Sequence, residues 1–124
     1  MRVLVVDDEP DSNEVVSAVL MVRGAEVRVA GSAAQALDVL HAWIPDLVVC
    51  DIGMPERDGY SLLRAMRERS TLARVPAIAL TAYATRDDRI RILGAGFQLH
   101  ITKPIDPEEL IASVVNVATM IGKL

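Results

Sequence analysis

Short apolar runs alternate along this chain with longer segments of helical period. Val3–Val6 and Leu47–Cys50 are continuously apolar, which is typical of central strands covered by helices on both faces. The five runs of strand length are Arg2–Val6, Glu26–Ala30, Asp46–Cys50, Ala77–Leu80 and Phe97–Ile101. Apolar and polar residues alternate in the second run, which favours an edge strand. Five strands that alternate with helices predict an α/β fold, a doubly wound five-stranded parallel sheet.

The helical segments carry start and stop signals. Pro10 fits the first position of a helix, and Thr85 fits a helix N-cap. Gly24 and Gly96 stand where a left-handed residue would end a helix. The last helix is predicted to gather its apolar residues on one face, formed by Leu110, Ile111, Val114, Val115, Ala118 and Ile121. That face is a candidate surface for a homodimer.

Composition narrows the class of protein. The chain has 124 residues, of which 52% are hydrophobic. This is enough for a hydrophobic core, and we expect one domain that covers residues 1–124. The net charge of −4 argues against nucleic-acid binding by this domain, because phosphate contacts need a basic face. The arginines from Arg64 to Arg74 and at 86, 89 and 91 are interpreted as solvated helix faces. No apolar stretch approaches the length of a spanning helix, so we expect a cytoplasmic domain without membrane contact.

Polar residues follow four of the predicted strands. Asp7 and Asp8 follow the first, Asp51 the third, Thr81 the fourth, and Lys103 the fifth. The carboxyl ends of parallel strands meet at one edge of the sheet, where α/β proteins bind their ligands. We therefore expect three carboxylates, a hydroxyl and an ammonium group in one small volume.

Clustered carboxylates repel one another unless a cation or a shared proton relieves them. Hard divalent cations with oxygen ligands, Mg²⁺ above all, are suited to such a cluster. An acidic metal site beside a lysine and a threonine hydroxyl indicates a site that handles phosphoryl groups.

The spacing of these residues also resembles a known family, the receiver domain of two-component response regulators. The pieces that carry the resemblance are Val6-Asp7-Asp8, Asp51 followed by Met54-Pro55 and Asp58-Gly59, Thr81-Ala82, and Lys103-Pro104. Each is weak alone, but together, each after its own strand, they are specific and cover essentially the whole chain. The resemblance implies the CheY-like strand order 2-1-3-4-5.

The family also implies a role for each residue. Asp51 is similar to the phosphoacceptor, which takes a phosphoryl group from the phosphohistidine of a histidine kinase or of a histidine phosphotransfer domain. Asp7 and Asp8 resemble the acidic pair that holds Mg²⁺, together with Asp51 and the backbone carbonyl of Gly53. Lys103 and Thr81 resemble the groups that bind phosphoryl oxygens. By the same resemblance, the peptide bond between Lys103 and Pro104 is cis.

One position departs from the family pattern, and two others set the lifetime of the phosphoryl group in the family. His100 stands where the family has Tyr or Phe, the aromatic residue of the switch; an imidazole fills the same slot, or the switch is weakened or sensitive to pH. Gly53 and Tyr83 occupy the two positions that set the lifetime of the phosphoryl group. Gly53 has no side chain to orient water, whereas Tyr83 either covers the phosphoryl group or is an exposed loop aromatic.

The leading hypothesis is a signalling module rather than an enzyme: a receiver that switches conformation on phosphorylation. It is either a stand-alone regulator or the receiver of a hybrid histidine kinase. One alternative is an aspartyl-nucleophile phosphohydrolase, which would have a second carboxylate where Gly53 stands. A flavodoxin-like cofactor binder would not place acidic residues after its first strand. A receiver-like scaffold that is never phosphorylated would lack one of the five key residues.

Overall fold

The computed structural model of this protein describes residues 1–82 and 85–122. Within that part of the chain, five strands and five helices alternate. Their bounds are β1 Arg2–Val6, α1 Pro10–Val22, β2 Glu26–Ala30, α2 Ala33–Ala42, β3 Leu47–Asp51, α3 Gly59–Arg67, β4 Ala77–Thr81, α4 Arg86–Ala95, β5 Leu99–Thr102 and α5 Pro107–Met120. The alternation predicted from the apolar pattern is confirmed.

The five strands form one parallel sheet in the order β2-β1-β3-β4-β5. This confirms the doubly wound fold and the strand order that the resemblance implied, with β2 at one edge. The ends of the central strands are level, because Asp51 pairs with Leu80 and Thr81 with Thr102. The side chains at those ends therefore reach the same edge of the sheet.

Three strands differ from the sequence prediction, at five boundaries in all. β3 begins at Leu47 and not at Asp46, and β5 ends at Thr102 and not at Ile101. Asp51 and Thr81 are the last residues of β3 and β4, whereas they were predicted to follow them. The fifth strand begins at Leu99, although Phe97 was predicted to start it. Phe97 instead completes the end of α4, since its backbone N–H donates to the carbonyl of Ile92 at 3.4 Å. Apolar character alone did not distinguish a helix end from a strand start.

Successive residues of the central strands lie on opposite faces of the sheet and pack in two separate apolar layers. In β1, Val3 and Val5 pack with apolar residues of α1 and α5, whereas Leu4 and Val6 pack with those of α2, α3 and α4. All four of these apolar residues of β1 are fully buried. Burial of an aliphatic side chain contributes roughly 1.5–3 kcal/mol, so a strand covered on both faces anchors the sheet strongly.

The helix start and stop signals act as predicted. Pro10 is the first residue of α1. Thr85 and Asp88 form a reciprocal capping box at the start of α4. Gly24 and Gly96 have φ angles of 87° and 108°, which an L side chain rarely adopts.

The apolar face of α5 is only partly as predicted. Leu110, Val114 and Ala118 are buried, but Val117 is buried in place of Val115, which is 41% exposed. The buried face points at α1 and β5, and that packing sets the rotation of the helix. The dimer surface proposed for α5 is therefore reduced to its exposed residues. In the part of the chain that the structure describes, no helix is long and apolar enough to cross a membrane.

Candidate functional site

Asp7 is fixed in place at the carboxyl end of β1. Its side chain is fully buried, and its backbone N–H donates to the carbonyl of Ala30 at 3.1 Å. Its Oδ1 accepts a hydrogen bond of 2.9 Å from the backbone N–H of Glu9. The side-chain amide of Asn13, in α1, donates to the Asp7 carbonyl at 2.7 Å. The first turn of α1 thus holds the carboxylate against the strand end.

Asp51 is positioned by the loop that follows β3. Its Oδ1 accepts a hydrogen bond of 2.9 Å from the backbone N–H of Gly53. The start of α3 lies directly on its backbone: a β-carbon on Gly59 would lie 2.8 Å from both the Asp51 carbonyl oxygen and the α-carbon of Ile52. Only glycine permits this approach, which explains the Asp58-Gly59 pair in the sequence.

Three carboxylates meet at this edge of the sheet. Ligand oxygens of Asp7, Asp8 and Asp51 all lie within 4.8 Å of one another. Asp7 and Asp51 are buried, whereas Asp8 is exposed and open to ions from solvent. A cluster of hard oxygen donors with one open side fits a divalent cation such as Mg²⁺. Gly53 lines the same cleft of about 400 Å³.

Lys103 brings one positive charge into the cluster. Its Nζ lies 2.9 Å from Asp7 Oδ2, 3.0 Å from Glu9 Oε1 and 3.2 Å from Asp51 Oδ2. The backbone N–H of Lys103 donates to the Thr81 carbonyl at 2.7 Å, and the peptide bond to Pro104 is cis. One ammonium group therefore faces three carboxylates.

The pKa values of two groups reflect this imbalance. Burial raises the pKa of Asp7 above its usual range, the charge of Asp51 adds to the effect, and the N–H of Glu9 and the ammonium of Lys103 offset it only in part. Burial alone would lower the pKa of Lys103, but its hydrogen bonds to Asp7 and Glu9 and the charge of Asp51 raise that pKa overall. Lys103 is thus firmly charged, and the carboxylates still carry more charge than it neutralises.

Thr81 stands beside Asp51 at the end of the neighbouring strand. It is 3% exposed and lines the same cleft as Asp51 and Lys103. The Ile52 N–H donates to the Leu80 carbonyl at 3.1 Å, which keeps the two strand ends in register. A group attached to Asp51 would therefore lie near the Thr81 hydroxyl.

The structure describes His100 but not Tyr83. His100 pairs with Ala79 in the sheet and is half-buried; its Nδ1 is buried without a hydrogen-bond partner among the described residues. It is not among the described residues that line the cleft. Tyr83 lies outside the described residues, so its predicted cover of the phosphoryl group stays a prediction.

Sequence reasoning missed residues on the α3 and α4 side of the cleft. Arg91 is exposed, as predicted for a solvated helix face, but its guanidinium carbon also lies 4.5 Å from the centre of the Tyr60 ring, and both residues line the cleft. Arg67 is half-buried, contrary to the same prediction, and its guanidinium donates to the carbonyls of Leu72 and Val75 at 3.1 and 2.8 Å. Contacts between helices carried no spacing signal that could have identified them.

The chain is similar to known proteins over most of its length. The model of the response regulator receiver domain family matches residues 3–115. A 14.6 kDa protein of Leptolyngbya boryana is 46% identical over 114 residues, which cover 92% of this chain and 87% of that protein. The response regulator Rre1 of Synechocystis is 40% identical over 117 residues, which cover 94% of this chain and 51% of Rre1.

The fold has close counterparts among solved structures. The chemotaxis protein CheY4 of Vibrio cholerae superposes with a TM-score of 0.89 at 28% identity, covering 94% of this chain and 97% of CheY4. The chain spans about half the length of Rre1 and of several other curated relatives. With a family match over most of its length and these relatives, the chain belongs to the response regulator receiver domain family.

Proposed function

We propose that this receiver domain takes a phosphoryl group onto Asp51 from the phosphohistidine of a histidine kinase or a histidine phosphotransfer domain. As a receiver, the chain is a phosphoacceptor module of two-component signalling. The observation that carries the assignment to Asp51 is its place between Lys103 Nζ, at 3.2 Å, and the Asp7–Asp8 pair. Asp7 lies even closer to Lys103, at 2.9 Å, but it is fully buried and is not among the described residues that line the cleft, whereas Asp51 lines the cleft beside Lys103.

The residues around Asp51 suit an in-line transfer. A carboxylate oxygen of Asp51 forms a bond to phosphorus while the bond from phosphorus to the donor nitrogen breaks, and the imidazole leaves. Lys103 stabilises the charge on the phosphoryl oxygens, since phosphoryl transfer depends mainly on positioning and charge stabilisation. Asp7, Asp8, Asp51 and the carbonyl of Gly53 would hold Mg²⁺, which supplies further positive charge to those oxygens when bound.

The modified carboxylate would bias the conformation of the domain. Phosphorylation adds about −1.5 to −2 of charge and new acceptor oxygens. The hydroxyl of Thr81 could then donate to a phosphoryl oxygen, and that bond would bias the conformation at the end of β4. In the family, an aromatic residue at the position of His100 transmits this change. That the imidazole of His100 does the same stays a prediction.

Several broader features belong to the same proposal. The whole chain, residues 1–124, acts as one receiver that catalyses only its own phosphorylation and dephosphorylation. The glycine at position 53 argues against a hydrolase, because such an enzyme would have a second carboxylate two residues after the nucleophile. The net charge of −4 argues against nucleic-acid contacts by this domain.

The last helix offers a surface for a homodimer. Its exposed apolar residues there include Val115, within α5, and Ile121, directly after it. A cytoplasmic location stays a prediction from the sequence.

Acetyl phosphate tests the proposed function without the cognate kinase. We expect the protein with Mg²⁺ to gain one phosphoryl group by intact mass, and hydroxylamine to release it, as an acyl phosphate requires. A chelator should prevent the gain. Failure to incorporate phosphate in the presence of Mg²⁺ would contradict the proposal.

The acidic cluster also predicts a metal effect on stability. Mg²⁺ at tenfold above its Kd should raise the free energy of unfolding by about 1.4 kcal/mol. Asp8→Asn should reduce that gain and leave the metal-free fold intact or slightly more stable, because it removes one of three repelling carboxylates. The measurement is urea unfolding of both proteins with and without Mg²⁺.

Asp11→Asn is the matched control, because Asp11 is an exposed carboxylate of the same helix start that lies outside the cluster. It should keep the full gain from Mg²⁺. Equal gains in the Asp8→Asn and parent proteins would show that Asp8 is not a ligand.

A further inference from the structure

A second cationic group lines the cleft, at its α3 and α4 side. Arg91 of α4 and Tyr60 of α3 share the cleft with Asp51, Thr81 and Lys103. The guanidinium carbon of Arg91 lies 4.5 Å from the centre of the Tyr60 ring. Two helices thus place a cation and an aromatic ring at the edge of the site.

The ring beneath Arg91 is held firmly. Tyr60 is only 8% exposed, and Phe97 packs edge-on against it, with ring centres 6.0 Å apart at an angle of 76°. A guanidinium over an aromatic face is stabilised by the ring and keeps its in-plane N–H donors available. Tyr60 therefore acts as a platform that holds Arg91 at the cleft.

The nearby acidic groups are engaged elsewhere. Asp58 caps α3 and accepts a hydrogen bond of 2.9 Å from the Ser61 N–H. Asp88 Oδ2 accepts a hydrogen bond of 2.6 Å from the Thr85 hydroxyl. Among residues 1–82 and 85–122, no carboxylate forms an ion pair with Arg91. The N–H donors of its guanidinium therefore have no carboxylate partner within that part of the molecule.

Lys103 differs from Arg91 in this respect. The ammonium of Lys103 already contacts Asp7, Glu9 and Asp51. An incoming phosphoryl group brings further negative charge into a cleft that is rich in carboxylates, and the repulsion must be offset. Arginine suits that task, because its planar fork matches the geometry of phosphate oxygens.

We infer that Arg91 is a phosphoryl-binding residue of this receiver: its guanidinium, held on the Tyr60 ring, draws the oxygens of an anionic phosphoryl donor toward Asp51. The inference rests on the proposed role of Asp51 and adds the residue that selects for the charge of the donor. The same contact serves a phosphohistidine or a small acyl phosphate, because both present a terminal phosphoryl group. It acts on approach and alignment, so it affects the rate of transfer and not its site.

The test compares three variants of the whole chain with acetyl phosphate and Mg²⁺. The phosphoryl group passes to Asp51 and acetate leaves, and intact mass follows the rate at low donor concentration. Arg91→Gln should lower the second-order rate constant about fivefold, a modest factor because the guanidinium is exposed to solvent. Arg91→Lys should recover part of the rate. Arg89→Gln, which removes the same charge from an exposed position of α4 that does not line the cleft, should react at the parent rate.

Further readouts separate this role from a structural one. All three variants should still reach one phosphoryl group per chain at long times, which shows that Asp51 remains the acceptor. Added salt should slow the parent more than Arg91→Gln, because the lost interaction is electrostatic. A parent-like rate for Arg91→Gln, or equal slowing by Arg89→Gln, would overturn the inference while the proposed function stands. Slowing without any rescue by lysine, together with a lower melting temperature, would also overturn it in favour of a packing role.

Discussion

Asp51→Asn should abolish the incorporation of a phosphoryl group from acetyl phosphate. The amide has the shape of the carboxylate but is not a nucleophile toward phosphorus at neutral pH. Its oxygen can still accept the hydrogen bond from the Gly53 N–H, so the loop after β3 should keep its conformation. One repelling charge is removed from the cluster, so the stability of the metal-free protein should be equal or higher. Intact mass after incubation with donor and Mg²⁺ gives the result.

Asp58→Asn is the matched control for this experiment. Asp58 is another aspartate that lines the cleft, and it caps α3 through a hydrogen bond from the Ser61 N–H. Asparagine is an equally good N-cap residue, so the helix should be retained. We expect Asp58→Asn to incorporate one phosphoryl group, as the parent does. Undiminished labelling of Asp51→Asn would place the acceptor at another residue.

Most of the fold followed from two features of the sequence. Runs such as Val3–Val6 that are apolar throughout require helices on both faces of the sheet, and that leaves few α/β topologies. Because parallel strands end at the same edge, the residues after them were expected to meet. The structure places Asp7, Asp8, Asp51 and Lys103 together at that edge.

What the sequence did not predict depends on how helices rotate and pack. Positions 115 and 117 of α5 are both valines, and only contact with α1 and β5 decides that Val117 is the buried one. Phe97 is as apolar as a strand residue, but it packs against Tyr60. Arg91 is charged like a surface residue, and its contact with α3 arises from tertiary packing alone. Spacing within one element cannot reveal contacts between two.

Lys103→Met should have the largest effect on stability. The fully buried Asp7 would lose its ammonium partner, which lies at 2.9 Å, while a side chain of similar length fills the space. Removal of one member of a buried ion pair leaves an uncompensated charge, so we expect a loss of about 2–3 kcal/mol near pH 8 in the absence of metal. Urea unfolding measures it.

The loss of stability caused by Lys103→Met should increase as the pH rises. The pKa of Lys103 is raised in the folded state, so its contribution in the parent is fully present below the usual lysine pKa and is constant from about pH 5 to about pH 8. The pKa of Asp7 is already raised by burial, and without the ammonium it rises further. The folded state then binds a proton that the unfolded state has released, so the penalty is small near pH 5 and grows as the pH rises through the folded pKa of Asp7.

Two variants identify the cause of that loss. Lys103→Arg keeps the charge and should lose less stability than Lys103→Met. The double variant Lys103→Met with Asp7→Asn removes both members of the pair, so the fully buried side chain at position 7 no longer carries a charge, although Asp51 keeps its own. Much of the loss should then be recovered, and the effects of the two substitutions should not be additive. If the double variant is as unstable as the sum of the two single variants, and the loss is the same at both pH values, then packing and not the charge of Asp7 is the reason that Lys103 stabilises the fold.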